Sequence, residues 1–420
     1  MALFRRTPSI PVALSLDIGT EFVKTLVFEV HEDHGVVIGA AKHRQRLSDM
    51  QGGHVTDIHG VISTAAKAIE EAFTQAGREA EQTVVGIAGE LVKGATTSTT
   101  LTRRNPNTPI TQAELQEIIS EAQKQILEKS RKELAWETGY REIEVQLVNS
   151  AVVGVKIDGY RVTNPIGFQG KSVEVNIYTA YAPTVHLGAI QSIVDGLDLT
   201  LLTVATEPYA VARCFGDQET GDLSSIFIDV GGGTTDIAVV RSGGLEGTKM
   251  FALGGRVFTK RIASELKISF AEAEKVKIAY SDGELDDKDI DRVHDYIESD
   301  VSVWLSGVEL ALEEFATSER FIDNKLLPTK IFLCGGGSLL PDLKKALEGK
   351  KWSKDLPFAK QPEIQFIKPE NVTNIKDQTK DLTGTQDVTP MALANIALDL
   401  VSSETHLGGT MNKILKSLRS

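Results

Sequence analysis

Two glycine-and-acid turns, one in each half of the chain, constrain the fold more than any other feature. Asp17-Ile-Gly-Thr follows the apolar run Val12 to Leu16, and Asp229-Val-Gly-Gly-Gly-Thr-Thr-Asp236 follows Ser225 to Ile228. Each ends a strand with a carboxylate and then dispenses with bulky side chains, so that backbone N–H groups can close on a phosphate. One such turn is also an ordinary loop. Two that open the same local pattern read as a nucleotide clamp.

The repetition extends beyond the turns. Val23 to Val30 and Val36 to Lys42 read as strands after the first; Asp236 to Arg241 and Thr248 to Leu253 do so after the second, around Ser242-Gly243-Gly244. Each half then enters a helix. Ile58, Val61, Ile62, Ala65, Ile69 and Phe73 recur at helical spacing in one, and Val257, Ile262 and Leu266 in the other. Such a duplication predicts two similar lobes with a cleft between them. A length of 420 residues gives a prior of two to four domains. The net charge of -13 argues against a general nucleic-acid binder. Cys214 and Cys334, the only cysteines, lie in apolar runs without metal-type spacing and read as buried thiols of a reducing cytosol. With no run of 18 apolar residues and no apolar signal core at the N-terminus, the bulk of the protein is expected to be cytoplasmic.

In order and spacing, Asp17-Ile-Gly-Thr, Glu207-Pro208, Asp229-Val-Gly-Gly-Gly-Thr-Thr-Asp236 and Phe332-Leu-Cys-Gly-Gly-Gly-Ser338 resemble the phosphate-1, connect-1, phosphate-2 and adenosine motifs of the actin, sugar-kinase and heat-shock-chaperone superfamily. Within it the chain is most similar to the bacterial cell-division FtsA family. Gly159-Tyr-Arg-Val-Thr-Asn-Pro-Ile-Gly-Phe-Gln-Gly170, then Val173-Glu-Val-Asn-Ile-Tyr, and the helix Ala271-Glu-Ala-Glu-Lys-Val-Lys277 carry that resemblance, which spans roughly residues 12 to 400. It implies an α/β fold: the actin-like, duplicated ribonuclease-H-like two-lobed ATPase fold with an inserted α+β subdomain of the FtsA IC type. It also implies ATP and Mg²⁺ as cofactors, head-to-tail self-association, FtsZ-like or other division partners, and an anionic membrane surface on the inner face of the cytoplasmic membrane. A slow Mg-dependent ATPase activity stays open.

Asp17 and Asp229 end their strands and form a natural pair to hold Mg²⁺ through its waters, because magnesium keeps most of its hydration; solvation of strand ends is their other reading. Gly19, Thr20 and Lys24 on one lobe, with Gly231, Gly232, Gly233 and Thr234 on the other, can supply donors to a triphosphate, although a strand lysine is also a solvated face. Glu207, just before Pro208 at a helix start, is a dipole partner by position; the resemblance makes it the residue that orients the attacking water. Asp236 could hold metal-bound water. Gly335, Gly336 and Gly337 form a strand-to-helix turn that the resemblance places against a purine, and Gly254 and Gly255 are of the same kind. Glu274 and Lys277 share a helical face, as a surface ion pair or as ribose and adenine contacts. Gly170-Lys171-Ser172 copies the end of a phosphate-binding loop, but Pro165 stands where its first glycine is needed and a strand follows.

The expected organisation is an N-terminal extension over 1-11, the first part of lobe I over 12-97, an IC-like insertion over 98-196, and the connection into lobe II over 197-254. A reduced IIB region follows over 255-328, the return with the adenosine motif over 329-349, and the C-terminal part of the lobes over 350-402. Within the insertion, Thr111 with Glu114 three residues on opens a helix, and strands are expected over Glu142 to Val148, Ser150 to Ile157 and Ser172 to Tyr181. A linker, 403-410, then precedes an amphipathic helix, 411-420. In that helix Met411, Ile414, Leu415 and Leu418 share a face, while Lys413, Lys416 and Arg419 carry the charge. It reads either as a membrane anchor or as a helix packed on the body, and Arg5 and Arg6 beside Leu3 and Phe4 offer a competing anchor. Only Ser281 to Asp291 precedes a long helix over Val293 to Ala316, where FtsA relatives carry an extended strand pair. That trimming resembles PilM, the actin-like protein of type IV pilus assembly, which supplies the alternative reading; a small-molecule kinase is a third.

Overall fold

The computed structural model describes residues 10–89, 92–137, 144–215, 224–317 and 326–405. Lobe I begins with β1 (Val12–Ile18), β2 (Phe22–Val30) and β3 (Gly35–Arg44). A small hairpin, β4 (Met50–Gln51) and β5 (His54–Val55), leads to α1 (Ile58–Ala76) and β6 (Gln82–Ile87). Asp57 caps α1 through Gly60 N–H and Gly77 closes it in the left-handed conformation, so both ends of this helix are set locally. The chain then runs through β7 (Lys93–Thr102), α2 (Gln112–Glu137), β8 (Val145–Ile157), β9 (Tyr160–Val162) and β10 (Ser172–Pro183). It continues with α3 (Thr184–Gly196), β11 (Thr200–Thr206) and α4 (Glu207–Cys214).

Lobe II repeats the opening with β12 (Ser225–Val230), β13 (Thr235–Arg241) and β14 (Gly244–Phe251). Three helices follow, α5 (Gly255–Leu266), α6 (Phe270–Ser281) and α7 (Asp287–Thr317). Then come β15 (Lys330–Cys334), α8 (Pro341–Glu348), the short strands β16 (Glu363–Phe366) and β17 (Ile375–Asp377), and α9 (Val388–Thr405). Only residues 282–286 separate α6 from α7, and they contain no strand.

The two sheets show the duplication directly. One has the order β11-β6-β1-β2-β3-β17, and the other begins β16-β15-β12-β13-β14. In each, an antiparallel meander (β1-β2-β3 or β12-β13-β14) carries two parallel strands beside its first member. All six residues of β12 and six of the seven in β1 are buried, because these central strands are covered on both faces. A core below the cleft joins the lobes: Met391, Leu393 and Ala397 of α9 pack with Leu26 and Phe28 and with Phe227 and Ala238.

The insertion is placed differently from the boundaries 98-196. Its strands extend the lobe II sheet in the order β14-β7-β10-β8-β9 through the pairs Gly247↔Ala95 and Thr248↔Gly94, so pairing begins before residue 98. The Tyr178 hydroxyl lies 3.1 Å from Thr248 Oγ1, and a Cβ on Gly94 would sit 2.1 Å from that hydroxyl. At the other boundary, α3 buries Ile190, Ile193 and Val194 with Val61, Ala65 and Ile69 of α1, which makes it part of the lobe I core. The α+β character remains, with α2 covering Val173, Val175 and Ile177 of β10. Glu114 N–H does reach Thr111 Oγ1, at 3.2 Å, but the Glu114 carboxylate forks onto Arg103 instead of turning back on the cap. Lys171 and Ser172 donate backbone N–H groups to the Asp158 carboxylate, so Gly170-Lys171-Ser172 is a turn into β10 rather than a phosphate loop. Among the described residues no helix is long and apolar enough to cross a membrane. Leu3 to Arg6 and the tail from Met411 to Arg419 lie outside the described residues.

Candidate functional site

Strand β1 delivers Asp17 and strand β12 delivers Asp229 to opposite walls of one cavity of about 460 Å³. Antiparallel register sets Lys24 of β2 opposite Asp17, and the ammonium lies 3.0 Å from Asp17 Oδ2. By the same geometry Asp236 of β13 stands opposite Asp229. Glu207, the first residue of α4, enters from the connection between the lobes and is buried.

Asp17, Asp229, Asp236 and Glu207 thus bring four buried carboxylates to the cavity with the half-buried Lys24 beside them. Thr389 Oγ1 donates to Asp229 Oδ2 at 2.5 Å, the Cys334 thiol donates to Asp229 as well, and Thr234 Oγ1 donates to Asp236 Oδ2 at 3.2 Å. Among the described residues, Glu207 Oε1 and Asp236 Oδ1 have no hydrogen-bond partner. Burial, together with Asp17, Asp236 and Asp229, holds the Glu207 carboxyl well above the usual carboxylate range. Burial and Asp229 do the same to Asp236. Burial also raises Asp229, against the opposing effects of Thr389 and Lys24. For Lys24, burial pulls the ammonium down, but Asp17, Asp229 and Glu207 outweigh it and leave it raised.

Such a surplus of buried negative charge is costly unless a cation or a proton neutralises it. Among the described residues no group of three acidic, histidine or cysteine side chains is placed to ligate a metal directly. The residues fit a hydrated divalent cation instead: the two orphaned carboxylate oxygens require donors, and metal-bound waters provide them.

The cavity brings most of the sequence-predicted residues together. Gly19, Thr20, Gly231, Gly232 and Thr234 line it, as do Gly255, Glu274, Lys277, Gly335, Gly336 and Gly337. Gly233 and Gly254 stand behind the wall. A Cβ on Gly233 would meet Thr20 Oγ1 at 2.7 Å, and one on Gly254 would meet Gly231 O at 2.7 Å, so these two glycines let segments close on each other. Gly335 has φ 81°, and a Cβ there would fall 2.1 Å from Asp229 Oδ1. Glu274 and Lys277 are paired at 2.9 Å but are not a surface pair: both are largely buried, Thr259 Oγ1 donates to Glu274, and Lys277 donates to Gly255 O and Thr259 Oγ1. Buried thiols, Cys214 and Cys334, are as expected.

Sequence reasoning missed Arg256, Glu21 and Thr389. Arg256 had one legible signal, a cation in the first turn of a helix, where the helix dipole disfavours it. Thr389 had none, since its partner lies 160 positions away.

The family model described as cell division protein FtsA matches residues 226–380. The chain is 26% identical over 266 residues to the cell division protein FtsA of Neisseria meningitidis, covering 63% of this chain and 60% of that protein. It is 24% identical to the Streptococcus pneumoniae FtsA over 345 residues, 78% of this chain and 71% of that one. With FtsA of Bacillus subtilis and Pseudomonas aeruginosa the match spans 57% and 60% of the relative's length. Among solved structures, a chain of the PilM-PilN type IV pilus biogenesis complex superposes with TM-score 0.62 at 19% identity, over 92% of this chain and 98% of that one. MreB5 of Spiroplasma citri bound to ADP does so with TM-score 0.51 at 13% identity, over 96% and 100%. These likenesses establish the two-lobed actin-like fold.

Proposed function

We propose that this FtsA-like chain binds Mg–ATP between its lobes and works as an actin-like cytoskeletal protein. It assembles head to tail and ties the division machinery, FtsZ or an equivalent, to the anionic inner face of the cytoplasmic membrane. The observation that carries the nucleotide reading is the meeting of both glycine turns, four buried carboxylates and Lys24 on one cavity. The presence of ADP in the MreB5 structure that shares the fold supports it.

In this reading the two turns, closed by Gly19 N–H on Phe22 O and by Gly231 N–H on Thr234 O, offer their remaining backbone N–H groups to the phosphates, and Lys24 is held in place by Asp17. Asp17 and Asp229 hold the waters of Mg²⁺, with Asp236 beside them; the ion, when bound, neutralises phosphate charge. Glu207, with one carboxylate oxygen unengaged, accepts a hydrogen bond from a water and orients it toward the phosphate end, giving at most a slow ATPase. Glu274, Lys277 and the Gly335-Gly336-Gly337 turn face the nucleoside end. Self-association rests on the insertion, whose tip exposes Tyr160 and Phe168, and membrane attachment on Met411 to Arg419.

Calorimetric titration tests the cleft: wild type should bind Mg–ATP in preference to Mg–GTP, and Asp229→Ala should weaken binding. Equal affinity of the two proteins for Mg–ATP rejects the site.

A PilM-like pilus scaffold is the second reading. The short 282–286 connection and the near-complete overlap with the PilM-PilN chain favour it. Co-purification separates the two, through division proteins or pilus proteins respectively.

A further inference from the structure

Arg256 carries three side-chain hydrogen bonds from lobe II to lobe I. Its backbone belongs to lobe II, where its N–H donates to Gly232 O at 2.8 Å in the second glycine turn. Its side chain crosses to lobe I. There Nε donates to Glu21 Oε2 at 2.7 Å, Nη2 to Thr20 O at 2.6 Å and Nη1 to Met50 O at 3.1 Å. The other Glu21 oxygen accepts from Arg44 Nε at 2.6 Å, so the carboxylate is fixed from both sides. Arg256 and Glu21 are only 11% and 12% exposed, which limits screening of the pair. The turns also touch, since a Cβ on Gly232 would lie 2.8 Å from Glu21 Cβ.

A guanidinium suits this task because its rigid fork serves three acceptors from one position, which a lysine cannot do. Its place in the first turn of α5 opposes the helix dipole, so local helix chemistry does not account for it. The three acceptors do. Thr20 belongs to the first phosphate turn, and Met50 opens the hairpin whose Gly53 also lines the cavity. Separating the lobes must break all three bonds, two of them to backbone carbonyls that no other side chain of lobe II approaches among the hydrogen bonds of the described residues.

We infer that Arg256 is a positioning residue that pins the first phosphate turn against the second and thereby sets the rate at which nucleotide leaves the cleft. The inference rests on the reading of that cavity as a nucleotide site. It assigns Arg256 to exchange, with no part in bond breaking.

Two measurements on the full chain test it. In a chase of N-methylanthraniloyl-ADP with Mg²⁺, Arg256→Ala and Arg256→Lys should each raise the dissociation rate at least tenfold. Glu21→Gln should raise it severalfold, and the double variant Glu21→Gln with Arg256→Ala should add little to Arg256→Ala alone. Rates within twofold of wild type for Arg256→Ala and Glu21→Gln overturn the inference. Independently of nucleotide, spin labels on Lys67→Cys and Lys275→Cys, exposed positions in lobes I and II, report the lobe separation. Arg256→Ala should lengthen and broaden the distance distribution of the nucleotide-free protein, and an unchanged distribution rejects the clamp. Failure of wild type to bind the probe rejects the nucleotide reading, while the distance measurement still judges Arg256.

Discussion

Glu207→Gln should make the nucleotide-free protein more stable. In the folded chain the Glu207 carboxyl sits in a buried site facing Asp17, Asp236 and Asp229, and is held well above its ordinary value of 4.5. Because the folded state keeps this proton while the unfolded chain releases it, the contribution of Glu207 to stability is full below 4.5. It is lost as pH rises from there toward the folded value. Each pH unit within that window costs about 1.4 kcal/mol. Gln keeps the shape without the charge but buries an amide, which takes back part of the gain; a net stabilisation remains at pH 7.5. Denaturant unfolding in EDTA, repeated from pH 5 to pH 8, measures it. The advantage of Glu207→Gln should grow with pH. An advantage absent at pH 8, or equally large at pH 5, refutes the charge argument.

Thr389→Val removes the 2.5 Å hydrogen bond to Asp229 and should weaken Mg-dependent nucleotide binding about tenfold, in line with the loss of one hydrogen bond to a charged group, as read by titration with and without Mg²⁺. Gly335→Ala places a methyl group on the Asp229 carboxylate in a left-handed backbone conformation, and should cost at least about 2 kcal/mol of stability in denaturant unfolding. Replacing Tyr160 and Phe168 by Ser should reduce ATP-promoted sedimentation without altering nucleotide affinity, if the insertion tip carries self-association. Ile414→Glu with Leu418→Glu should abolish co-sedimentation with anionic liposomes; retained binding would move the anchor elsewhere.

The glycine turns were legible because each joins a strand-ending acid to residues without bulky side chains, and the register of a short antiparallel pair then places Lys24 and Asp236 without further information. Contacts between lobes were not legible. Arg256 and Glu21 are 235 positions apart, and no periodicity links them. The helix α3 shows an apolar face in sequence, but a face does not say which lobe will cover it. Strand β8 was read as two strands because Asn149-Ser150 interrupts its apolar run. The structure keeps one irregular strand, whose Asn149 side chain donates to Val204 O and accepts from Thr206 N–H, acting as a surrogate strand partner to β11. Thr96 to Thr100 concealed part of β7 for a related reason: an all-polar run at a sheet junction has no alternation to read.

Hydrogen exchange on adding Mg–ATP tests most directly whether the duplicated turns close on one nucleotide. Peptides covering residues 18–22, 231–236 and 335–339 should gain protection together at one ATP concentration, and Asp229→Ala should lose all three effects at that concentration. Protection of one turn without the other, or of none, contradicts that closure.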